Sequence, residues 1–114
     1  MHTVVETEVF VRRSAGLFTE QERLDLIASI AFHPHAGDEI PGTGGVRKLR
    51  VSAKGKGKRG GARVIYFLYD DTVPIFLITC YGKNERGDLN SRQRKSVAAL
   101  AAGIKSRARG RRPA

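Results

Sequence analysis

A dense group of cations lies between residues 47 and 63 of this 114-residue sequence. This segment contains eight basic residues and no acidic one: Arg47, Lys48, Arg50, Lys54, Lys56, Lys58, Arg59 and Arg63. From residue 54 to residue 61 the cations are interspersed with glycines, which let a backbone approach a phosphate closely because they lack a Cβ. Cations placed on phosphates release counterions, so binding is salt-sensitive and largely independent of sequence. A solvated basic loop is the alternative, but the density of cations favours a nucleic-acid site.

Cleavage of RNA by its own 2′-hydroxyl needs groups that this segment can supply. The reaction requires a base for the hydroxyl proton, cations at the phosphorane and an acid for the leaving 5′-oxygen. Arg63 directly follows the glycines and opens a strand, a placement suited to gripping the scissile phosphate bidentately. Lys54, Lys56 and Lys58 crowd one another, and their mutual repulsion favours loss of a proton, which suits one of them to act as base or acid.

Two tyrosines near this segment are candidates for contact with RNA. Tyr66 and Tyr81 can stack on bases or donate hydrogen bonds, although Tyr66 can equally point into the core. Arg50 and Lys83 fall at strand ends beside the same patch in the predicted hairpin.

Metal and nucleotide chemistry is weakly indicated. Residues 55–60 match the G-x-G-x-x-G spacing, but a β-branched and aromatic strand follows where a dinucleotide site needs a helix. The carboxylates at 70 and 71 suit a turn, and the histidines at 33 and 35 would need metal ligands from elsewhere. Cys80 is the only cysteine, which excludes an intramolecular disulfide and a cysteine zinc site. We therefore expect no metal and no cofactor.

Hydrophobic periodicity and turn residues predict the elements that must position these side chains. A strand is expected over residues 3–12, and a helix begins at the capping box Thr19–Glu22 and ends at Pro34. The glycine-rich residues 36–46 are predicted as loop. Three strands and a last helix, capped by Asn90 or Ser91, follow; the strands are Val46–Ser52, Ala62–Tyr69 and Val73–Tyr81.

This order predicts an α+β fold of the form β-α-β-β-β-α, with an antiparallel sheet covered by helices on one face. Residues 1–104 would form one domain, and residues 105–114 a basic tail without periodicity. No apolar run approaches the ~20 residues of a membrane span, and Glu6 and Glu8 interrupt any signal peptide. We therefore expect a cytoplasmic protein without membrane contact.

Four stretches of this sequence resemble the RelE/ParE toxin superfamily, and most closely its HigB-type, RelE-like branch. They are Ile40–Arg50, the spaced lysines and glycines of 54–58, Gly61–Tyr66 and Tyr81–Glu85. The resemblance covers residues 4 to about 104. It implies the toxin of a type II toxin–antitoxin pair that enters the ribosomal A site and cleaves mRNA without a metal. It also implies a partner antitoxin, expected to carry a helix-turn-helix.

The resemblance also implies roles for individual residues. Lys48 and Arg50 match a basic pair before the glycine loop, Arg63 the phosphate-binding arginine, and Lys83 the Gly-Lys turn after the last strand. Asn84 stands where RelE itself has a second arginine, which shifts the expected chemistry towards the lysine-rich loop and Arg63. The predicted catalytic residues are therefore Arg63, Lys54, Lys56, Lys58 and Lys83, and the predicted RNA-binding residues are Lys48, Arg50, Arg59, Tyr66, Tyr81 and Asn84.

Two other functions stay open at this stage. A ParE-like toxin would use the same fold to poison gyrase through protein contacts. A non-catalytic RNA-binding module would carry the same basic patch without cleavage. One scaffold hosts several activities, so fold-level kinship alone does not choose among them.

Overall fold

A five-stranded sheet between two helical layers organises the chain, which the computed structural model describes over residues 1–54, 61–85 and 88–111. The elements in chain order are β1 (Val4–Glu6), α1 (Glu8–Leu17), α2 (Glu20–Phe32), β2 (Asp38–Glu39), β3 (Val46–Val51), β4 (Ala62–Phe67), β5 (Ile75–Gly82) and α3 (Ser91–Arg111). The strand order is β1-β5-β4-β3-β2; β1 runs parallel to β5 and the other neighbours pair antiparallel. The α+β prediction is confirmed, with a mixed sheet in place of a wholly antiparallel one.

The predicted first strand is wrong beyond its opening residues, because α1 occupies most of the segment. The Thr7 hydroxyl accepts a hydrogen bond from the Phe10 amide at 3.1 Å, which is N-cap geometry. Phe10 and Ser14 are buried one helical turn apart. Val9, which the alternating pattern placed on a strand face, is exposed. The cap and the helical spacing therefore prevail over a short alternating pattern.

The second helix begins where the sequence predicts. The Thr19 hydroxyl accepts from the Glu22 amide at 3.1 Å, and the Glu22 carboxylate accepts from the Thr19 amide at 2.9 Å. This capping box satisfies two backbone donors at the start of α2. The helix ends at Phe32, two residues before Pro34, so the predicted termination is confirmed.

Alternate residues of β4 face two different hydrophobic clusters. Val64 and Tyr66 pack in a cluster with residues of α1 and α2, whereas Ile65 and Phe67 pack in a cluster with residues of α3. Successive side chains of a strand point to opposite faces of a sheet. The prediction of helices on one face is therefore wrong: α1 and α2 cover one side and α3 covers the other.

The predicted loop over residues 36–46 contains a short edge strand and a tight turn. β2 pairs with β3, with Asp38 opposite Lys48. Gly45 has a φ of +119°, and a Cβ there would lie 2.8 Å from the Leu68 carbonyl oxygen. The turn therefore needs glycine in order to pass close to the end of β4.

The last helix is longer than predicted. The Asn90 side chain accepts from the Gln93 amide at 2.8 Å, so Asn90, one of the two predicted caps, starts α3. The helix continues to Arg111, through seven residues that the sequence placed in a tail without structure. Ile104 packs against the α3-side cluster and stabilises this continuation. No helix in the described part of the chain is long and apolar enough to cross a bilayer.

Candidate functional site

Three cations on neighbouring strands lie at one end of the α3 side of the sheet. Lys48 and Arg50 alternate with Leu49 and share the side of Val46, which packs in the α3 cluster. Arg50 is directly opposite Arg63 in the pairing of β3 with β4. We call Lys48, Arg50 and Arg63 the cationic site.

The pairing of Arg50 with Arg63 is unfavourable in the protein alone. Residues directly opposite each other in an antiparallel pair have Cβ atoms about 4.5–5.5 Å apart, and like charges there are destabilising. An anion that binds both guanidinium groups would offset repulsion between them. Arginine forks suit a phosphate, since they can bind two of its oxygens at once. The register of the sheet therefore places Arg50 and Arg63 where one anion can contact both side chains.

Arg63 is held firmly rather than displayed on the surface. Only 7% of its surface is exposed, and one guanidinium nitrogen donates to the Ala62 carbonyl oxygen at 3.3 Å. Its register partner on β5 is Tyr81, which is buried in the α3-side cluster. A guanidinium fixed by packing can bind a phosphate without first losing conformational freedom.

A carboxylate that the sequence analysis did not single out lies within this site. Asp88 forms an ion pair with the Lys48 ammonium. Its hydrogen bond to Lys48 and the charge of Lys48, helped by the charges of Arg50 and Arg94, lower the pKa of Asp88. Asp88 is the last acidic residue of the sequence, and every charged residue after it is basic. A single carboxylate before a wholly basic segment is the sequence feature that could have identified Asp88. In the structure Asp88 lies where the cations attract an anion.

The turn after β5 lies at the same end of the sheet. The Lys83 amide donates to the Gly61 carbonyl oxygen at 3.1 Å, two residues before Arg63. The Glu85 carboxylate forms an ion pair with Arg13 of α1, which anchors the turn. Because this turn contacts the residue two positions before Arg63, Lys83 and its neighbour Asn84 lie near the cationic site. Both residues are exposed.

Lys54 takes a different direction from the cationic site. Its amide donates to both oxygens of the Glu22 carboxylate, at 2.9 and 2.7 Å, and its ammonium donates to the Gly16 carbonyl oxygen at 3.2 Å. Both partners belong to the helices on the other side of the sheet. The remaining residues of the predicted loop group, Lys56, Lys58 and Arg59, lie outside the described residues.

Tyr66 is a core residue with both hydrogen-bonding roles of its hydroxyl satisfied. The hydroxyl accepts from the Gly37 amide at 2.9 Å and donates to the Pro34 carbonyl oxygen at 2.6 Å. The side chain is fully buried on the α1–α2 side, and burial raises the pKa of Tyr66. Of the two alternatives left open for Tyr66, the structure favours the one in which it points into the core.

Cys80 and the described carboxylates and histidines form no metal centre. Among residues 1–54, 61–85 and 88–111, no three His, Cys, Asp or Glu side chains are grouped to hold a metal ion. Cys80 is fully buried in the α1–α2 cluster, and burial raises the pKa of its thiol to about 12. It packs as a small apolar side chain.

Comparison with known protein families identifies the family to which this chain belongs. Residues 35–110 match the model of the RelE toxin of the RelE / RelB toxin-antitoxin system. The match spans well over half of the chain and includes β3, β4, β5 and nearly all of α3. The cationic site, Asp88 and Arg94 all lie within it. This family implies a protein antitoxin as partner. The chain belongs to the RelE toxin family.

Proposed function

We propose that this RelE-family toxin is an endoribonuclease of HigB-like type that cleaves mRNA in the A site of the translating ribosome. Its action would be cytoplasmic, where mRNA is translated, and would need no metal ion. The observation that carries the proposal is the direct cross-strand pairing of Arg50 with Arg63, beside Lys48. Like charges opposed in this way favour the binding of an anion to both, and the phosphate of RNA is an anion of suitable geometry.

In this proposal the scissile phosphate lies between the two arginines. As the 2′-oxygen attacks phosphorus, negative charge grows on the non-bridging oxygens of the phosphorane. Arg63, already fixed by packing, and the exposed Arg50 stabilise that charge as it develops. Because Arg63 needs little rearrangement, its stabilisation is available at the moment of reaction.

Proton transfer involves groups around the same phosphate. Lys48 carries an ammonium on the same side of β3 as Arg50, so we propose that it protonates the leaving 5′-oxygen. Lys56 and Lys58 stay predicted candidates for the base that takes the 2′-hydroxyl proton. The Lys54 ammonium is engaged at α1 and has no role in this scheme. Lys83 and Asn84 are exposed at the same end of the sheet, where they would contact the mRNA backbone.

The same site explains how an antitoxin would inhibit the toxin. A partner segment that presents carboxylates to Arg50 and Arg63 would occupy the place of the phosphate. Asp88 shows within the chain that a carboxylate can pair with Lys48. We therefore propose that the antitoxin, which would also carry a helix-turn-helix, covers the cationic site.

Mapping of mRNA 5′ ends on translating ribosomes tests the proposal. We expect codon-positioned cuts with the native protein, and a loss of about 10²–10³-fold in cleavage rate for Arg63→Ala or Arg50→Ala, because each change removes a charge donor from the transition state. Arg12→Ala is the matched control: it removes one exposed arginine from α1, on the other side of the sheet, and should cleave normally. Circular dichroism checks that all variants are folded.

Three outcomes would contradict the proposal. Intact mRNA together with a DNA-damage response would indicate a ParE-like gyrase toxin. Ribosome binding without any codon-positioned cut would indicate an RNA-binding module without catalysis. Full cleavage by both Arg50→Ala and Arg63→Ala would show that the cationic site does not hold the scissile phosphate.

A further inference from the structure

An aromatic and basic cluster lies on the α3 side of the sheet, at the opposite end from the cationic site. The rings of Phe67 and Tyr69 stack with their centroids 6.3 Å apart and their planes at 15°. The Lys105 ammonium lies 5.4 Å from the Tyr69 centroid and 5.9 Å from the Phe67 centroid. Phe67 is fully buried, whereas 37% of Tyr69 is exposed. Tyr69 is therefore the solvent-exposed ring of the pair, and the Lys105 ammonium lies near it.

This cluster and the cationic site are joined by the sheet. Phe67 is opposite Val46, and Arg63 is opposite Arg50. Arg63 and Phe67 are four positions apart on β4, which corresponds to about 13 Å along the strand. One side of the sheet therefore carries a phosphate-binding end and an aromatic end.

The same helix also joins the two ends. Arg94 is close enough to contribute to the lowered pKa of Asp88, and Lys105 lies eleven residues further along α3. Eleven residues make slightly more than three turns, so both residues point to nearly the same side of the helix, about 16 Å apart. Arg109 follows Lys105 by one more turn on that side. Cations thus continue along the α3 flank away from the cationic site.

The Lys105 ammonium lies against Gly44 and has no acidic partner among the described residues. A Cβ at Gly44 would lie 2.9 Å from the Lys105 ammonium nitrogen, so the lysine passes directly over a glycine with a φ of +72°. Within residues 1–54, 61–85 and 88–111, no carboxylate forms an ion pair with Lys105, in contrast to Lys48 with Asp88. Its charge is therefore available to an anionic ligand.

We propose that Tyr69 and Lys105 form a second subsite for single-stranded RNA, distinct from the site of cleavage. A base stacks on the exposed ring of Tyr69, and the phosphate beside it binds Lys105. Stacking on an aromatic ring accepts any base, since every base has a π face, and this suits a toxin that must bind many messages. The inference rests on the proposed function, because it assumes that the cationic site holds another phosphate of the same strand.

Binding of 2′-O-methyl oligouridylates tests this subsite, since these RNAs lack the attacking hydroxyl and stay intact. Stacked nucleotides advance about 3.4 Å each, so a trinucleotide spans ~10 Å and reaches one site, whereas a dodecanucleotide reaches both. Fluorescence anisotropy is measured for each length with the full-length protein. We expect Tyr69→Leu and Lys105→Gln each to weaken dodecanucleotide binding about five-fold or more, and to leave trinucleotide binding unchanged.

Conservative and matched variants separate this subsite from a general loss of charge. Tyr69→Phe keeps the ring and should bind like the native protein. Lys105→Gln should reduce the slope of log K against log salt by about 0.7 for the dodecanucleotide, as expected for one lost contact to a single strand. Arg107→Gln removes the same charge two residues away on the opposite side of α3 and should leave binding unchanged.

Three results would overturn the subsite. They are unchanged dodecanucleotide binding in Tyr69→Leu and Lys105→Gln, an equal loss for both RNA lengths, and an equal loss in Arg107→Gln. Failure of the proposed function appears elsewhere, as uncut mRNA on ribosomes, while the length dependence with free oligonucleotides would persist. The two failures are therefore distinguishable.

Discussion

The two sides of β4 differ in what they bury. On the α1–α2 side, Val64 and Tyr66 belong to a buried cluster with residues of two helices, and the Tyr66 hydroxyl has two hydrogen-bond partners. On the α3 side, Ile65 and Phe67 are covered, but Arg63 stands at the end of the strand among other cations. Because successive side chains alternate, one strand contributes stability on one side and a binding site on the other.

This difference shows where the fold tolerates unfavourable electrostatics. Arg50 and Arg63 oppose each other on the α3 side, and the cluster on the α1–α2 side stabilises the sheet that holds them. A site for a polyanion is destabilising by itself. A sheet that carries such a site therefore needs a core on its other side whose stability does not depend on those charges.

The largest effect expected on stability comes from the closed side. Phe10→Ala should lower the free energy of unfolding by about 3–5 kcal/mol, because a fully buried aromatic side chain is removed from the α1–α2 cluster. Urea unfolding followed by circular dichroism measures the change. Arg50→Ala in the same assay should lose nothing and gain up to about 1 kcal/mol, since it relieves the repulsion of Arg63. Similar losses for both variants would contradict the division between the two sides.

A smaller effect should separate the two roles predicted for Tyr66. Tyr66→Phe leaves the Gly37 amide and the Pro34 carbonyl without their buried partner, so we expect a loss of about 1–3 kcal/mol in the free energy of unfolding. mRNA cleavage should be unchanged at temperatures where the variant is folded. Tyr69→Phe, at an exposed ring, is the matched control and should unfold like the native protein. Normal stability combined with reduced RNA binding in Tyr66→Phe would restore the RNA-binding role.

The smallest effect concerns Asp88 and depends on pH. The pKa of Asp88 is lowered in the folded protein, so its ion pair with Lys48 stabilises the fold above pH 3.8 and is lost as the pH falls through the lowered pKa. Asp88 is largely exposed, so Asp88→Asn should cost only about 0.2–1 kcal/mol at pH 7. Thermal unfolding at pH 7 and at pH 2 measures this, and the difference from the native protein should be smaller at pH 2 than at pH 7.

Oligonucleotide binding at pH 7 adds a second measurement for the same variant. Asp88→Asn should bind RNA more tightly than the native protein, since it removes a carboxylate that competes for Lys48. Glu39→Gln makes the same charge change at an exposed residue of β2 and should affect neither stability nor binding. Weaker binding in Asp88→Asn would mean that this carboxylate positions Lys48 for RNA rather than competing with RNA.

Local signals predicted the elements that depend on neighbouring residues alone. The capping box at Thr19 and the Asn90 cap start the helices as predicted. The strands beginning at Val46 and Ala62 also form as predicted. The first helix was missed because a few alternating valines imitate a strand, and only the burial of Phe10 against the sheet decides between the two periods.

The residues predicted for the site lie on two different sides of the sheet, because their side chains point in different directions. Arg50 and Arg63 share a side because the β3–β4 register pairs them, which spacing in the sequence suggested but did not establish. Lys54 and Tyr66 face the α1–α2 side. A one-residue change of register would move each of these side chains to the other side of the sheet. Composition alone therefore does not predict which residues share a side.

The sequence by itself determined the chemistry of this protein: a concentration of cations and glycines around Arg63, with strands rich enough in apolar residues to hold it. Tertiary structure alone decided which cations act together. Pairing of β3 with β4 sets the two arginines opposite each other. The segment between β5 and α3 brings Asp88 to Lys48, and α3 brings Lys105 to Tyr69. The physical reason is that side-chain type is a local property, whereas the distance between two charges depends on the packing of distant segments.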